Sequence, residues 1–71
     1  MKIQVTLISI GGYKPISTIV EVQEEHYSVA REIAKQKGII KIMAQRSMSY
    51  AELRKYGYTT VKMRKVEEEK I

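Results

Sequence analysis

Apolar and polar residues alternate through Ile3, Gln4, Val5, Thr6 and Leu7, and the alternation resumes through Ile16, Thr18, Val20 and Val22. A period of two places successive side chains on opposite faces of an extended backbone, so both stretches are predicted strands. The second is dense in β-branched residues, which suit a pleated surface. Between them, Gly11-Gly12-Tyr13-Lys14-Pro15 combines free and fixed φ values, the ingredients of a turn. An antiparallel hairpin follows, with Pro15 in the turn or at the start of the second strand because it cannot donate to a ladder. Regular pairing leaves Ile8, Ile10 and Ile19 opposite the face of Ile3, Val5, Leu7 and Val20. That second apolar face requires cover, and it is a candidate interaction surface.

From Glu24 the period lengthens. Tyr27, Val29, Ala30, Ile33 and Ala34 gather on one side of a 3.6-residue helix expected over 24–37. Glu24 and Glu25 then stand at the positive end of its dipole and Lys35 and Lys37 at the negative end. Gly38 is the expected stop, since glycine readily takes the left-handed conformation that closes a helix. Residues 39–45 satisfy both periods; coming after a helix stop and rich in Ile, they are expected to form a strand.

Ser49 and Glu52 have the spacing of a capping box, with Met48 and Leu53 at the positions of a hydrophobic staple. A short helix is predicted from Tyr50 to about Tyr56, ended by Gly57, with Tyr58 placed to touch Leu53. Residues 59–66 read as a last strand, Val61 and Met63 on one face and Thr60, Lys62 and Arg64 on the other. The expected architecture is a single α+β domain over 1–66 in the order β-β-α-β-α-β, an antiparallel or mixed four-stranded sheet with the long helix on one face. Residues 67–71, rich in Glu, are expected to form a frayed tail.

A chain of 71 residues buries only roughly 60% of its unfolded surface, so its stability is marginal. With no cysteine to staple the fold, homo-oligomerisation is the expected supplement. No apolar run approaches the roughly 20 residues that span a bilayer, and the first residues lack a signal-peptide core, so no membrane association and a cytoplasmic location are expected.

The missing letters restrict the chemistry. The chain has no Asp, Asn, Cys, Trp or Phe, and His26 is its one imidazole. A Ser-His-Asp arrangement lacks its Asp and a zinc site lacks most of its ligands, so no catalytic centre, metal or cofactor is expected. His26 beside Glu25 reads as a surface residue.

Charge carries the functional clue. All of the excess positive charge arises between residues 35 and 65, where Lys35, Lys37, Lys41, Arg46, Arg54, Lys55, Lys62, Arg64 and Lys65 stand against a single acid, Glu52, while acids outnumber cations in the rest of the chain. Clustered cations on a small domain draw polyanions towards one side. The expected function is a non-enzymatic protein that contacts nucleic acid electrostatically, with Arg46, Arg54, Lys55, Lys62 and Arg64 on phosphates and Tyr56 or Tyr58 as stacking platforms. The alternative is a protein-interaction module or homodimer that uses the sheet edge or the face of Ile8, Ile10 and Ile19.

Ala51-Glu52-Leu53-Arg54-Lys55-Tyr56-Gly57-Tyr58-Thr59-Thr60-Val61 resembles the middle of a helix-turn-helix. The resemblance implies that Thr60, Lys62, Arg64 and Lys65 face a major groove. It departs from that family in a first helix one residue short before Gly57 and a spacer too short to begin a second helix. A capped helix turning into a strand accounts for the same residues. In size and composition the chain also resembles accessory proteins of bacterial viruses and mobile elements, which implies a module that binds a host protein or nucleic acid.

Overall fold

Lys2–Ser9 forms strand β1 and Ile16–Glu21 forms strand β2, paired antiparallel with Lys2 opposite Glu21 and Leu7 opposite Ile16. The computed structural model that shows this describes residues 1–66, and the expected tail at 67–71 lies outside the described residues. The ladder continues one pair beyond the strands. Val22 donates its N–H to the Met1 carbonyl at 2.8 Å, and the N-terminal ammonium donates to the Val22 carbonyl at 2.8 Å. Ile3, Val5, Leu7, Ile16, Thr18 and Val20 are buried on one face, the register the alternation requires.

Helix α1 spans Tyr27–Arg46, and this corrects two expectations. Gly38 does not end the helix, and residues 39–45 continue it instead of forming a strand. The reason is packing. Ala30, Ala34, Gly38 and Ile42, the buried residues of α1, recur every fourth position and lie against the sheet. A Cβ added at Gly38 would stand 2.7 Å from Val5 Cβ, so this glycine is where helix and sheet approach most closely rather than where the helix stops. Tertiary contact overrides the roughly 1 kcal/mol that glycine costs in a helix interior.

The true stop is Ser47, at φ 52° and ψ 42° in the left-handed region. Its N–H bonds to the Ala44 carbonyl and the Met48 N–H to the Met43 carbonyl, the two hydrogen bonds of a Schellman closure with serine in glycine's usual place. The start also shifts. His26 is the N-cap, and Glu24 lies before the helix, where its carboxylate accepts from the N–H groups of Glu25 and His26.

Helix α2, Tyr50–Lys55, has the predicted capping box: Ser49 Oγ accepts from the Glu52 N–H at 3.2 Å and Glu52 Oε1 from the Ser49 N–H at 3.3 Å. Leu53 is buried on it. After Gly57 the chain enters strand β3, Tyr58–Val66, which pairs antiparallel with β1. That strand corrects the helix-turn-helix expectation, because the segment needed for a recognition helix is extended.

The sheet is therefore three-stranded, in the order β2-β1-β3, and not four-stranded. The α+β class and the long helix on one face are as expected. The core lies between sheet and helices, in one cluster around Ile3, Val5, Val20, Val22, Ala30 and Ala34 and another around Leu7, Ile16, Ile42 and Leu53. Helix α1 packs chiefly on β2 and β1, while α2 meets β3. No described helix is long and apolar enough to cross a membrane.

Candidate functional site

Pairing in the sheet sorts the cations. Leu7, Val5 and Ile3 point towards the helices, so their neighbours Thr6 and Gln4 point to the outer face. Across the β1–β3 ladder Thr6 lies opposite Lys62 and Gln4 opposite Arg64, which puts both cations on that outer face. Directly opposite residues in an antiparallel pair share a face with Cβ atoms about 5 Å apart. The resulting rows run Ser17-Thr6-Lys62 and Ile19-Gln4-Arg64 across the three strands.

Hydrogen bonds hold these rows in place. Arg64 Nη2 donates to Gln4 Oε1 at 2.9 Å, and Thr6 Oγ1 and Ser17 Oγ are 2.9 Å apart. A guanidinium has five N–H donors, so the contact with Gln4 orients Arg64 and leaves donors for a ligand. Among the described residues, Glu21 is the acid on this face; it sits in the end row, with a carboxylate oxygen 3.4 Å from the N-terminal ammonium.

The other cations lie elsewhere. Lys35 of α1 and Arg54 of α2 border a groove of about 380 Å³ whose apolar lining includes Leu7, Ile39, Leu53 and Val61. Leu7 and Val61 are inward-facing residues, so Arg54 is on the helix side of the sheet and Lys62 and Arg64 are on the other. Arg46 ends α1 and Lys55 ends α2. Lys41 reaches from α1 to the β2 edge, where its Nζ donates to the Ile19 carbonyl at 2.7 Å. The structure thus brings Lys62 and Arg64 together and separates them from Arg54.

The tyrosines are engaged in the fold. Tyr58 donates its hydroxyl to the Lys14 carbonyl at 2.8 Å and packs on the cluster of Leu7 and Leu53. Tyr56 meets Tyr13 edge to face, with centroids 5.1 Å apart, and its carbonyl accepts from Ser9 Oγ at 2.6 Å. Tyr50 is more exposed, at 54%, and lines the mouth of the groove. Gln4 and Thr6 are the residues of the outer sheet face that the sequence alone does not single out. Alternation places Gln4 and Thr6 on the outer face, but only the β1–β3 register sets them beside Arg64 and Lys62.

Ile8, Ile10 and Ile19 do not form one surface. Ile8 and Ile19 share the outer face, but the Thr6–Ser17 contact lies between them, and Ile10 falls in the loop after β1. A different apolar stripe is exposed: Val29, Ile33 and Ile40 lie along one side of α1, away from the sheet.

Glu52, the single acid of the basic segment, is held by the capping box, and no ion pair among the described residues neutralises Lys62, Arg64, Arg54 or Lys35. Among the described residues no cluster of His, Cys, Asp and Glu has the makings of a metal site. Fold and surface together define a small α+β protein with an open, cation-bearing sheet face. Comparison with protein-family models, curated proteins and solved structures finds no match for the chain.

Proposed function

We propose that this is a non-enzymatic binding protein that contacts nucleic acid through the outer face of its sheet. The observation that carries this reading is the pair Lys62 and Arg64, side by side on a face that neither helix covers, with Gln4 orienting the guanidinium. Residues two apart on a strand are about 6.8 Å apart along it, so the two cations present a short charged track to a phosphate backbone. Gln4, Thr6, Ser17 and Thr60 surround them with neutral hydrogen-bonding groups. No tyrosine lies on this face, so phosphate contact rather than base stacking is the mode, with affinities of about 10⁻⁴ to 10⁻⁶ M at physiological salt and little sequence preference. Among the described residues no acid pairs with Lys62 or Arg64, which supports this reading further.

The test is a titration with fluorescent duplex DNA, single-stranded DNA and RNA at roughly 50 and 200 mM salt. Binding that collapses at the higher salt and is lost in a Lys62→Ala, Arg64→Ala double variant is expected. No binding at the lower salt removes the reading and makes the charge a solubility feature.

The exposed stripe of Val29, Ile33 and Ile40 favours a second reading, a protein-interaction module that self-associates through α1. Sedimentation of the wild-type chain against Ile40→Glu decides it. A concentration-dependent dimer lost in the variant is its expected signature, and a monomer at every concentration ends it.

A further inference from the structure

Among the described residues, strand β3 has a partner on one side only. The Met1–Val22 hydrogen bonds show that odd-numbered residues of β1 bond to β2, so Gln4 and Thr6 bond to β3. Their opposite numbers Arg64 and Lys62 therefore direct backbone groups inwards, and Val61, Met63 and Lys65 direct theirs outwards. No described residue pairs with that outer edge. The other edge is guarded, since Lys41 donates to the Ile19 carbonyl of β2.

Beside the open edge lies the groove between α1, α2 and β3. Its apolar floor includes Ile39, Leu53 and Val61, and Lys35 and Arg54 border it with no acid in the lining. A strand laid along β3 would send alternate side chains towards this groove and the others towards Lys62 and Arg64. Both sides carry positive charge.

We infer that the free edge of β3 accepts an extended acidic segment of a partner protein as a fourth strand, with apolar side chains on the groove side and carboxylates beside Lys62 and Arg64. Main-chain hydrogen bonds supply affinity in such strand addition and alternate side chains supply specificity. Charge complementarity selects the occupant. Two copies pairing antiparallel about Met63 would set Lys62 of each against Arg64 of the other, and like charges directly opposite destabilise a sheet. An acidic strand replaces that repulsion with cross-strand ion pairs. This inference is independent of the nucleic-acid reading, because it depends on the β3 edge and not on phosphate contact.

Fluorescence anisotropy with a labelled peptide of alternating Glu and Val, as long as β3, is the test. The acidic peptide is expected to bind, and a peptide of alternating Lys and Val is not. N-methylation of every second peptide amide should abolish binding in one phase and spare it in the other, because only alternate amides face β3. Met63→Pro removes an outward N–H at a position where an edge strand tolerates proline, and should weaken the peptide by more than about tenfold while circular dichroism shows the fold retained. If that variant does not fold, the two N-methylated peptides decide the question. Equal binding of the acidic and basic peptides, or of both N-methylated forms, overturns the proposal. So does a wild-type chain that sediments as a dimer and binds no peptide, which would assign the edge to a second copy.

Discussion

Gly38 of α1 stands over Val5 of β1 with no room for a methyl group: an added Cβ would lie 2.7 Å from Val5 Cβ and Cγ2 and 2.8 Å from Cγ1. Because the near atoms include the Cβ of a central strand, the neighbour cannot swing aside as the end of a flexible side chain would. Gly38→Ala is expected to destabilise the protein by about 1–3 kcal/mol through overpacking, despite the better helix propensity of alanine. Val5→Ala in the same chain should not restore stability, since the Val5 Cβ remains. Urea unfolding measures both, and an unchanged or raised midpoint for Gly38→Ala would show that helix and sheet are not in this contact.

Ser47 makes the opposite prediction. It holds a left-handed backbone at φ 52°, a conformation that costs a residue with a side chain roughly 1–2 kcal/mol. Ser47→Gly removes that cost but enlarges the conformational freedom of the unfolded chain, so a net gain of about 0.5–1 kcal/mol is expected. Ser47→Val should lose stability. Thermal melts of the two variants shifting in the same direction would contradict the closure described.

Lys41 guards the β2 edge through the Ile19 carbonyl. Its contact is solvent-exposed, so Lys41→Ala should cost less than about 1 kcal/mol. The larger expected effect is on association, because an unguarded edge invites strand pairing between molecules. Light scattering at rising concentration should show aggregation in Lys41→Ala and little in Lys41→Arg; equal solubility of all three proteins would remove the guarding role.

The separation of cations by the sheet can be read in salt dependence. Binding to duplex DNA weakens with a log-log slope of about −0.9 per phosphate neutralised. Lys62→Ala should flatten the slope by about one unit. Arg54→Ala should leave it nearly unchanged, since Arg54 borders the groove on the far side of the sheet. The reverse pattern would move the interface to the helix side.

Much of this was legible in local sequence. The alternation of Ile3, Val5 and Leu7 against Ile16, Thr18 and Val20 specified the hairpin and its buried face, because a slip of one residue would turn every apolar side chain to solvent. Ser49 and Glu52 announced α2, since a capping box is satisfied by neighbours within one turn of chain. The face shared by Lys62 and Arg64 followed from the same period of two.

Only the tertiary structure decided whether residues 39–45 would be strand or helix, and where their helix would end. Their spacing satisfied both periods, and glycine is as suited to a close helix-sheet contact as to a helix stop. Val5, far away in sequence, selected the first by meeting Gly38 where no Cβ fits. Likewise, charge composition placed nine cations in one half of the chain, but their division between the outer sheet face and the helix-side groove depended on β3 pairing with β1. Local spacing determines which way a side chain points along its own element; which neighbour it meets depends on long-range pairing, which no short stretch of sequence encodes.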